Sequence, residues 1–259
     1  MHTRLLADSV AMSLPRSFAI RESSHRILDP FTPDKLATLG VALRLSPGAT
    51  MIDLACGKGE TLCTWARDHQ ITGVGVDLNP PFVEAADQRA VELGVADRVE
   101  FVLADASAYV AADPVDVASC CGATWIGGGV TGTLELLARS LRPGGIALIG
   151  EPFWRVDPPD QAAVEGSYAQ NRDDFRSLPG LIEEVGAAGW DLVEMVLADQ
   201  DSWDRYVAAQ WLNLRTWVDA HPDDELADEL REELHSAPVR YARYQREYLG
   251  WGIFALMQR

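Results

Sequence analysis

The chain has 259 residues, 47% of them apolar, which suits one α/β domain carrying inserted segments. Its 39 acidic and 22 basic residues give a net charge of −17, which disfavours a nucleic-acid partner because phosphate backbones are repelled. The four cysteines form no CxxC pair, and no apolar run approaches the length of a membrane span. These features predict a cytoplasmic protein with reduced thiols, no metal site and no membrane contact.

The segment 1–32 precedes the first predicted strand and is largely polar and irregular. A helix is predicted over about 34–45, because Thr32 can cap its start and Pro33 suits its first position. A regular alternation of strands and helices begins after this helix.

The stretch 50–60 places a run of β-branched and apolar residues directly before a turn of small residues. Gly57 and Gly59 let the backbone turn tightly and leave main chain open to a ligand. The helix that follows directs free N–H groups at the turn. Leu62 replaces the third glycine of a dinucleotide-binding G-x-G-x-x-G pattern.

Three successive predicted strands each end in a carboxylate, namely Asp53, Asp77 and Asp105. The predicted strands are 50–54, 72–77, 99–104, 115–120 and 145–150, and the predicted helices between them are 58–69, 80–94 and 131–141. Such alternation predicts a parallel sheet with helices on both faces. Ligands bind at the carboxyl ends of the strands in this architecture, and all three acids stand there.

The remainder of the chain interrupts this alternation with helical insertions. A helix at 181–188 and a strand at 191–199 return to the sheet. The later predicted elements are a helix from about 202 to 220, helices at 222–234 and 237–249, and a final strand at 250–259.

The three acids and the glycine turn resemble those of the class I S-adenosylmethionine (SAM) methyltransferases. Further points of resemblance are the LRPGGIALIGEPFW segment (141–154) and the motifs SHRILDPFT, CGATWIGGG and GWGIFAL. The resemblance implies a Rossmann-like α/β sheet of seven strands with the last one antiparallel, in a single domain spanning 1–259. It also implies an N-terminal lid (1–32) and a helical cap formed by 150–180 and 200–249.

In that family the first acid and the glycine turn hold the methionine part of SAM, the second acid holds the ribose, and the third caps the adenine. Carried onto this sequence, the resemblance implies a cofactor site formed by Asp53, Ala55, Cys56, Gly57, Gly59, Asp77, Leu78, Asp105, Ala106 and Cys121. S-adenosylhomocysteine would be the product. The broad relatives are small-molecule methyltransferases like those of ubiquinone and menaquinone biosynthesis, so a small-molecule acceptor and no nucleic acid are expected. The oligomeric state is left open.

Methyl transfer needs an aligned acceptor and sometimes one base. Glu151, directly after the fifth strand, and His25, in the N-terminal segment, are candidate catalytic residues; each could equally be a structural capping or hydrogen-bonding group. The candidate substrate-contacting residues are Trp125, Trp154, Tyr168 and Trp203, for which core packing is the alternative.

Three other functions remain open at this point. An NAD-dependent oxidoreductase shares the fold and the ribose acid. A SAM- or nucleotide-binding protein without turnover would need the same cradle. An RNA or protein methyltransferase would bind a polymer in a salt-dependent complex.

Overall fold

The computed structural model describes residues 15–259, so the first fourteen residues of the predicted lid lie outside the described part of the chain. A seven-stranded sheet forms its centre, in the order β3-β2-β1-β4-β5-β7-β6. Its strands are β1 (Thr50–Leu54), β2 (Thr72–Asp77), β3 (Val99–Leu103), β4 (Val115–Cys121), β5 (Leu141–Trp154), β6 (Trp190–Leu197) and β7 (Leu249–Gln258).

The first five strands run parallel, while β7 pairs antiparallel with both β5 and β6. The predicted class I methyltransferase sheet, with seven strands and the last one antiparallel, is therefore confirmed. β5 is longer than the predicted 145–150, because its pairing with β7 continues as far as Trp154 opposite Leu249.

Helices cover both faces of the sheet. They are α1 (Arg16–Arg21), α2 (Pro33–Ala42), α3 (Glu60–His69), α4 (Pro80–Glu92), α5 (Val130–Ala138), α6 (Gln161–Gly166), α7 (Leu178–Ala187), α8 (Gln200–Ala220) and α9 (Ala227–Arg240). Side chains of α5 and α7 pack with Ile52 and Leu54 on one face, and those of α2 and α3 pack with Met51 on the other. Consecutive β1 residues therefore point to opposite faces, as strand geometry requires.

The two helices predicted at 222–234 and 237–249 are one continuous helical segment, so that prediction was wrong. α9 runs through Pro238 and continues as a π-helical turn (Tyr241–Gln245) and a short helix (Arg246–Tyr248). Residues 222–226 instead form a turn, in which the Asp224 carboxylate accepts a hydrogen bond from the Leu226 N–H at 3.1 Å. Proline removes one helical hydrogen bond, but Tyr241 is buried and donates its hydroxyl to Asp204 of α8 at 2.7 Å. Packing against α8 therefore stabilises the helix through the proline.

Candidate active site at the carboxyl ends of the strands

The turn between β1 and α3 has the conformation that its small residues predict. Ala55, Gly57 and Gly59 have φ angles of 55°, 55° and 69°, in the left-handed region that glycine adopts without strain. A Cβ atom at Gly59 would lie 2.5 Å from the Phe101 ring and 2.8 Å from the Ala86 Cβ, so only glycine fits there without movement. The N-cap residue Gly59 has no side chain that could cap α3, which leaves N–H groups at the start of this helix for a ligand.

Asp77 contacts this turn directly from the end of β2. One carboxylate oxygen accepts a hydrogen bond from the Gly57 N–H at 2.8 Å, and the other accepts one from the Asn79 N–H at 2.9 Å. Burial raises the pKa of Asp77, although these backbone hydrogen bonds oppose the shift. The structure thus brings the second predicted acid and the glycine turn together. The neighbouring Leu78 is exposed beside them.

Asp53 is buried next to the turn, near the end of β1. Ser119 of β4 donates its hydroxyl to the Asp53 carboxylate at 2.5 Å. Burial raises the pKa of Asp53 to about 7, and the charge of Asp77 adds to the shift. Asp53 therefore lies at a point where a cationic group on a ligand would favour its ionised form.

The raised pKa of Asp53 predicts a pH-dependent stability of the ligand-free protein. A carboxyl group whose pKa is higher in the folded than in the unfolded state holds its proton longer when folded, so the free energy of unfolding falls as pH rises from the unfolded-state value of 3.8 towards about 7. We expect the free energy of unfolding of Asp53→Asn, measured by urea unfolding across this pH range, to fall less steeply with pH than that of the wild type.

Asp105→Asn is the matched control for this measurement. Its carboxylate is exposed, and hydrogen bonding to Ser107 lowers its pKa, so its contribution changes only below pH 4. Equal slopes for the wild type and Asp53→Asn would show that Asp53 does not titrate in this range.

Asp105 lies at the same edge of the sheet as Asp53 and Asp77. β2 and β3 run in register with Asp77 opposite Leu103, and Asp105 follows two residues later. Its side chain caps the turn Ala106–Ala108 by accepting from the Ser107 N–H at 2.9 Å. Ala106 is buried beneath it.

Cys56 and Cys121 line the inner side of the site. Burial raises the pKa of both thiols well above the usual range, and the charge of Asp53 adds to each shift. Both side chains nevertheless retain partial exposure. Their partial exposure means that both border solvent-accessible space beside the glycine turn, which we call the chamber, and their raised pKa values keep both thiols protonated.

The described part of the N-terminal segment lies against the glycine turn. The Lys58 ammonium group, from the glycine turn, donates to the backbone carbonyls of Glu22 at 2.8 Å and His25 at 2.7 Å. His25 is therefore held next to the turn. Asp29, in the same segment, is partly exposed, and burial raises its pKa to about 7.

The structure does not bring Glu151 together with His25. Ile149 and Phe153, which flank Glu151 in β5, pack on the α5/α7 face, and alternation places Glu151 on that face as well. Asp53 points to the opposite face. Glu151 accepts a hydrogen bond from Thr124, and burial raises its pKa to about 7. It lines a separate cleft of about 550 Å³, and its catalytic role stays a prediction.

The four aromatic residues predicted to contact substrate occupy different surroundings. Trp125 is 69% exposed and borders the Glu151 cleft, whereas Trp154 is buried and donates its indole N–H to the Arg172 carbonyl at 2.7 Å. Tyr168 is exposed, with the Arg240 guanidinium 4.7 Å above its ring. Trp203 is partly buried, and within the described part of the chain its indole N–H has no hydrogen-bond partner.

Several residues near the chamber escape prediction from the sequence, namely Glu22, Asp29, Lys58, Ser119 and Tyr206. One signal was available for Tyr206, which lies three residues after Trp203 and therefore on the same face of α8. Between residues 15 and 259 there is no cluster of three or more potential metal ligands, and no helix is long and apolar enough to cross a membrane.

Comparisons with known proteins agree with this geometry. A family model described as a methyltransferase domain matches residues 51–145. A SAM-dependent methyltransferase of Geobacter sulfurreducens, crystallised with S-adenosyl-L-homocysteine, is 61% identical, with a TM-score of 0.94 over 96% of this chain and all of that one. A SAM-dependent methyltransferase of Thiobacillus denitrificans, crystallised with the same molecule, is 58% identical with the same TM-score and coverage. The uncharacterized protein YjhP of Escherichia coli K12 is 54% identical over 248 residues, which are 96% of this chain and all of YjhP.

Proposed function

This chain belongs to the class I SAM-dependent methyltransferases, and we propose that it methylates a small metabolite bound in the chamber beside the glycine turn. It is a transferase that uses SAM and releases S-adenosylhomocysteine. SAM supplies an activated methyl group, so the protein's task is to orient the acceptor, exclude water and, where necessary, remove a proton.

The residues at the strand ends fit this cofactor. We assign the methionine part to Asp53 and the glycine turn, the ribose to Asp77 and the adenine edge to Asp105. The complete proposed set is Asp53, Ala55, Cys56, Gly57, Gly59, Asp77, Leu78, Asp105, Ala106 and Cys121. Its chemistry suits an adenosyl ligand, because the uncapped start of α3 and the carboxylates of Asp53, Asp77 and Asp105 lie at one edge of the sheet.

The N-terminal segment and the helical cap together enclose the proposed acceptor site. The Arg21 side chain pairs with Glu233 of α9 at 2.6 Å, and Asn213 of α8 donates to the Arg21 carbonyl at 2.8 Å. These contacts tie the described part of the 1–32 lid to the 200–249 cap. An enclosed chamber excludes water and admits a small molecule more readily than a polymer.

The observation that supports a small-molecule acceptor is the partial exposure of side chains beside the glycine turn. Asp29, Cys121 and Tyr206 each keep partial exposure, and we take the space that they border as the acceptor site. The net charge of −17 also disfavours a nucleic-acid acceptor. Glu151 and Trp125, in the separate cleft, are a second proposed contact region for the acceptor.

Transfer of a labelled methyl group from SAM tests the proposal. The protein is incubated with methyl-labelled SAM and a cell extract, and the label is measured in the low-mass and macromolecular fractions. We expect label in a low-mass product, and less of it at limiting SAM with an Asp77→Ala variant, whose affinity for the cofactor should be lower. Label confined to protein or RNA would contradict a small-molecule acceptor.

A further inference from the structure

A carboxylate and an imidazole lie side by side in the wall of the chamber. Glu22 is 2% exposed, and one of its oxygens accepts a hydrogen bond from the Gln210 amide of α8 at 2.7 Å. The other oxygen lies 2.9 Å from Nδ1 of His25. That contact has the distance of an ion pair but lacks the direction of a hydrogen bond.

Three polar atoms of this pair are buried without hydrogen-bond partners among residues 15–259. They are Oε2 of Glu22 and both ring nitrogens of His25. A buried polar atom without a partner costs on the order of 1–3 kcal/mol, so its retention in a folded protein needs an explanation. Binding of a polar group in the chamber would supply the missing partner.

The pair lies beside the proposed cofactor cradle. Lys58, between the two glycines of the turn, bonds the backbone carbonyls of both Glu22 and His25. Leu28, three residues after His25, comes within 3.1 Å of where a Cβ on Gly57 would stand. The segment that carries the pair therefore lies directly over the glycine turn.

Aromatic side chains of α8 form the facing wall. The His25 and Tyr206 rings have centroids 4.5 Å apart with an interplanar angle of 45°. Burial raises the pKa of Tyr206 well above its usual range, and the charges of Glu22 and Asp29 add to this shift. Trp203 stands one turn earlier on α8 with its indole N–H also unpartnered in the described chain. Polar groups of α8 thus lie next to both members of the Glu22–His25 pair.

We propose that Glu22 and His25 form a general-base pair that removes a proton from the methyl acceptor, which is a hydroxyl or an amine rather than a carboxylate. The inference rests on the proposed function. Glu22 is the positioning residue: it holds the Nδ1–H tautomer of His25 and leaves the lone pair of Nε2, which has no hydrogen-bond partner among residues 15–259, to accept the proton. Gln210 fixes Glu22, and Tyr206 fixes the plane of the imidazole.

Charge balance in the reaction selects the acceptor class. The acceptor lone pair bonds to the methyl carbon, the carbon–sulfur pair remains on sulfur, and the proton of the O–H or N–H passes to Nε2 of His25. A carboxylate acceptor has no such proton and would be repelled by Glu22. Lys58, which contacts the backbone of this segment, is already bonded to two carbonyls.

The methylated product distinguishes these acceptor classes. The low-mass product labelled from SAM is treated with mild base, which releases the methyl group of a carboxyl ester as volatile methanol but leaves ethers and N-methyl groups intact. We expect the label to stay non-volatile. Volatile label would overturn the hydroxyl or amine assignment while leaving methyl transfer to a small molecule in place, whereas no labelled low-mass product would contradict the proposed function itself.

The residue roles are tested with His25→Asn and Glu22→Gln, using His235→Asn and Glu232→Gln on the exposed face of α9 as matched controls. Loss of a general base lowers turnover by about 10²–10⁴-fold, and we expect His25→Asn to lower turnover by a factor in this range. We expect at least about a tenfold loss for Glu22→Gln. Binding of S-adenosylhomocysteine, measured by calorimetry, should stay within a factor of about three of the wild type for both.

The pH profile separates a base from a structural role. The His25→Asn rate should keep rising with pH where the wild-type rate has become level, because hydroxide or the ionised acceptor replaces the base. Nitrogen NMR of the imidazole gives a readout without turnover: we expect the Nδ1–H tautomer of His25 in the wild type and its loss in Glu22→Gln. A parallel loss of rate at every pH, or an Nε2–H tautomer in the wild type, would overturn the general-base pair.

Discussion

Asp77→Ala is expected to weaken SAM binding at least tenfold. Hydrogen bonds to a charged carboxylate contribute about 1.5–3 kcal/mol, and a loss of 1.4 kcal/mol is a factor of ten in affinity. The structure adds a second reason, because the same carboxylate also accepts the Gly57 N–H at 2.8 Å. Removing it takes away a proposed ribose contact and one of the bonds that hold the glycine turn.

Calorimetry with SAM and with S-adenosylhomocysteine measures this effect. Asp87→Ala, on the exposed face of α4, removes one negative charge without touching the turn and is the matched control. Asp77→Asn separates the two roles, since the amide oxygen can still accept one backbone N–H while losing the carboxylate charge. Unchanged affinity in Asp77→Ala would remove Asp77 from the cofactor site.

Much of the sheet was predictable because its signals are local. The runs at 50–54 and 72–77 are predicted with the bounds that the structure has, since each is a short apolar strand closed by an acid and a turn. The gathering of Asp53, Asp77 and Asp105 at one edge follows from parallel topology alone. The joining of two predicted helices through Pro238 was not predictable in this way, because packing against α8 stabilises it.

The interior of the site depended on contacts distant in sequence. Glu22 meets Gln210, which lies 188 residues away, and no spacing rule connects the two. His25 was a candidate from its place in the lid, and its carboxylate partner Glu22 lies only three residues earlier, but the α8 side chains that contact the pair, Gln210 and Tyr206, are distant in sequence. Glu151 lies within β5 and not directly after it as predicted, and the face it occupies is set by the register of the whole strand.

Gly59→Ala is expected to destabilise the protein by about 1–3 kcal/mol more than Gly94→Ala. Both glycines have nearly the same left-handed backbone, with φ angles of 69° and 67°. A Cβ at Gly94 meets nothing within 4 Å, whereas one at Gly59 meets Phe101 and Ala86. The shared backbone strain, about 1–2 kcal/mol, therefore cancels in the comparison and the steric clash remains.

Urea unfolding of the ligand-free variants measures the difference, with equal m values as the check that both lose the same fold. Phe101→Leu combined with Gly59→Ala tests the cause, because the ring carbons of Phe101 are the nearest atoms to the added methyl group. The double variant should recover part of the loss, and it remains informative if Gly59→Ala alone does not fold. Equal destabilisation by Gly59→Ala and Gly94→Ala would mean that Gly59 is needed for its backbone angle alone. In that case α4 and β3 would not restrict the glycine turn as closely as the structure implies.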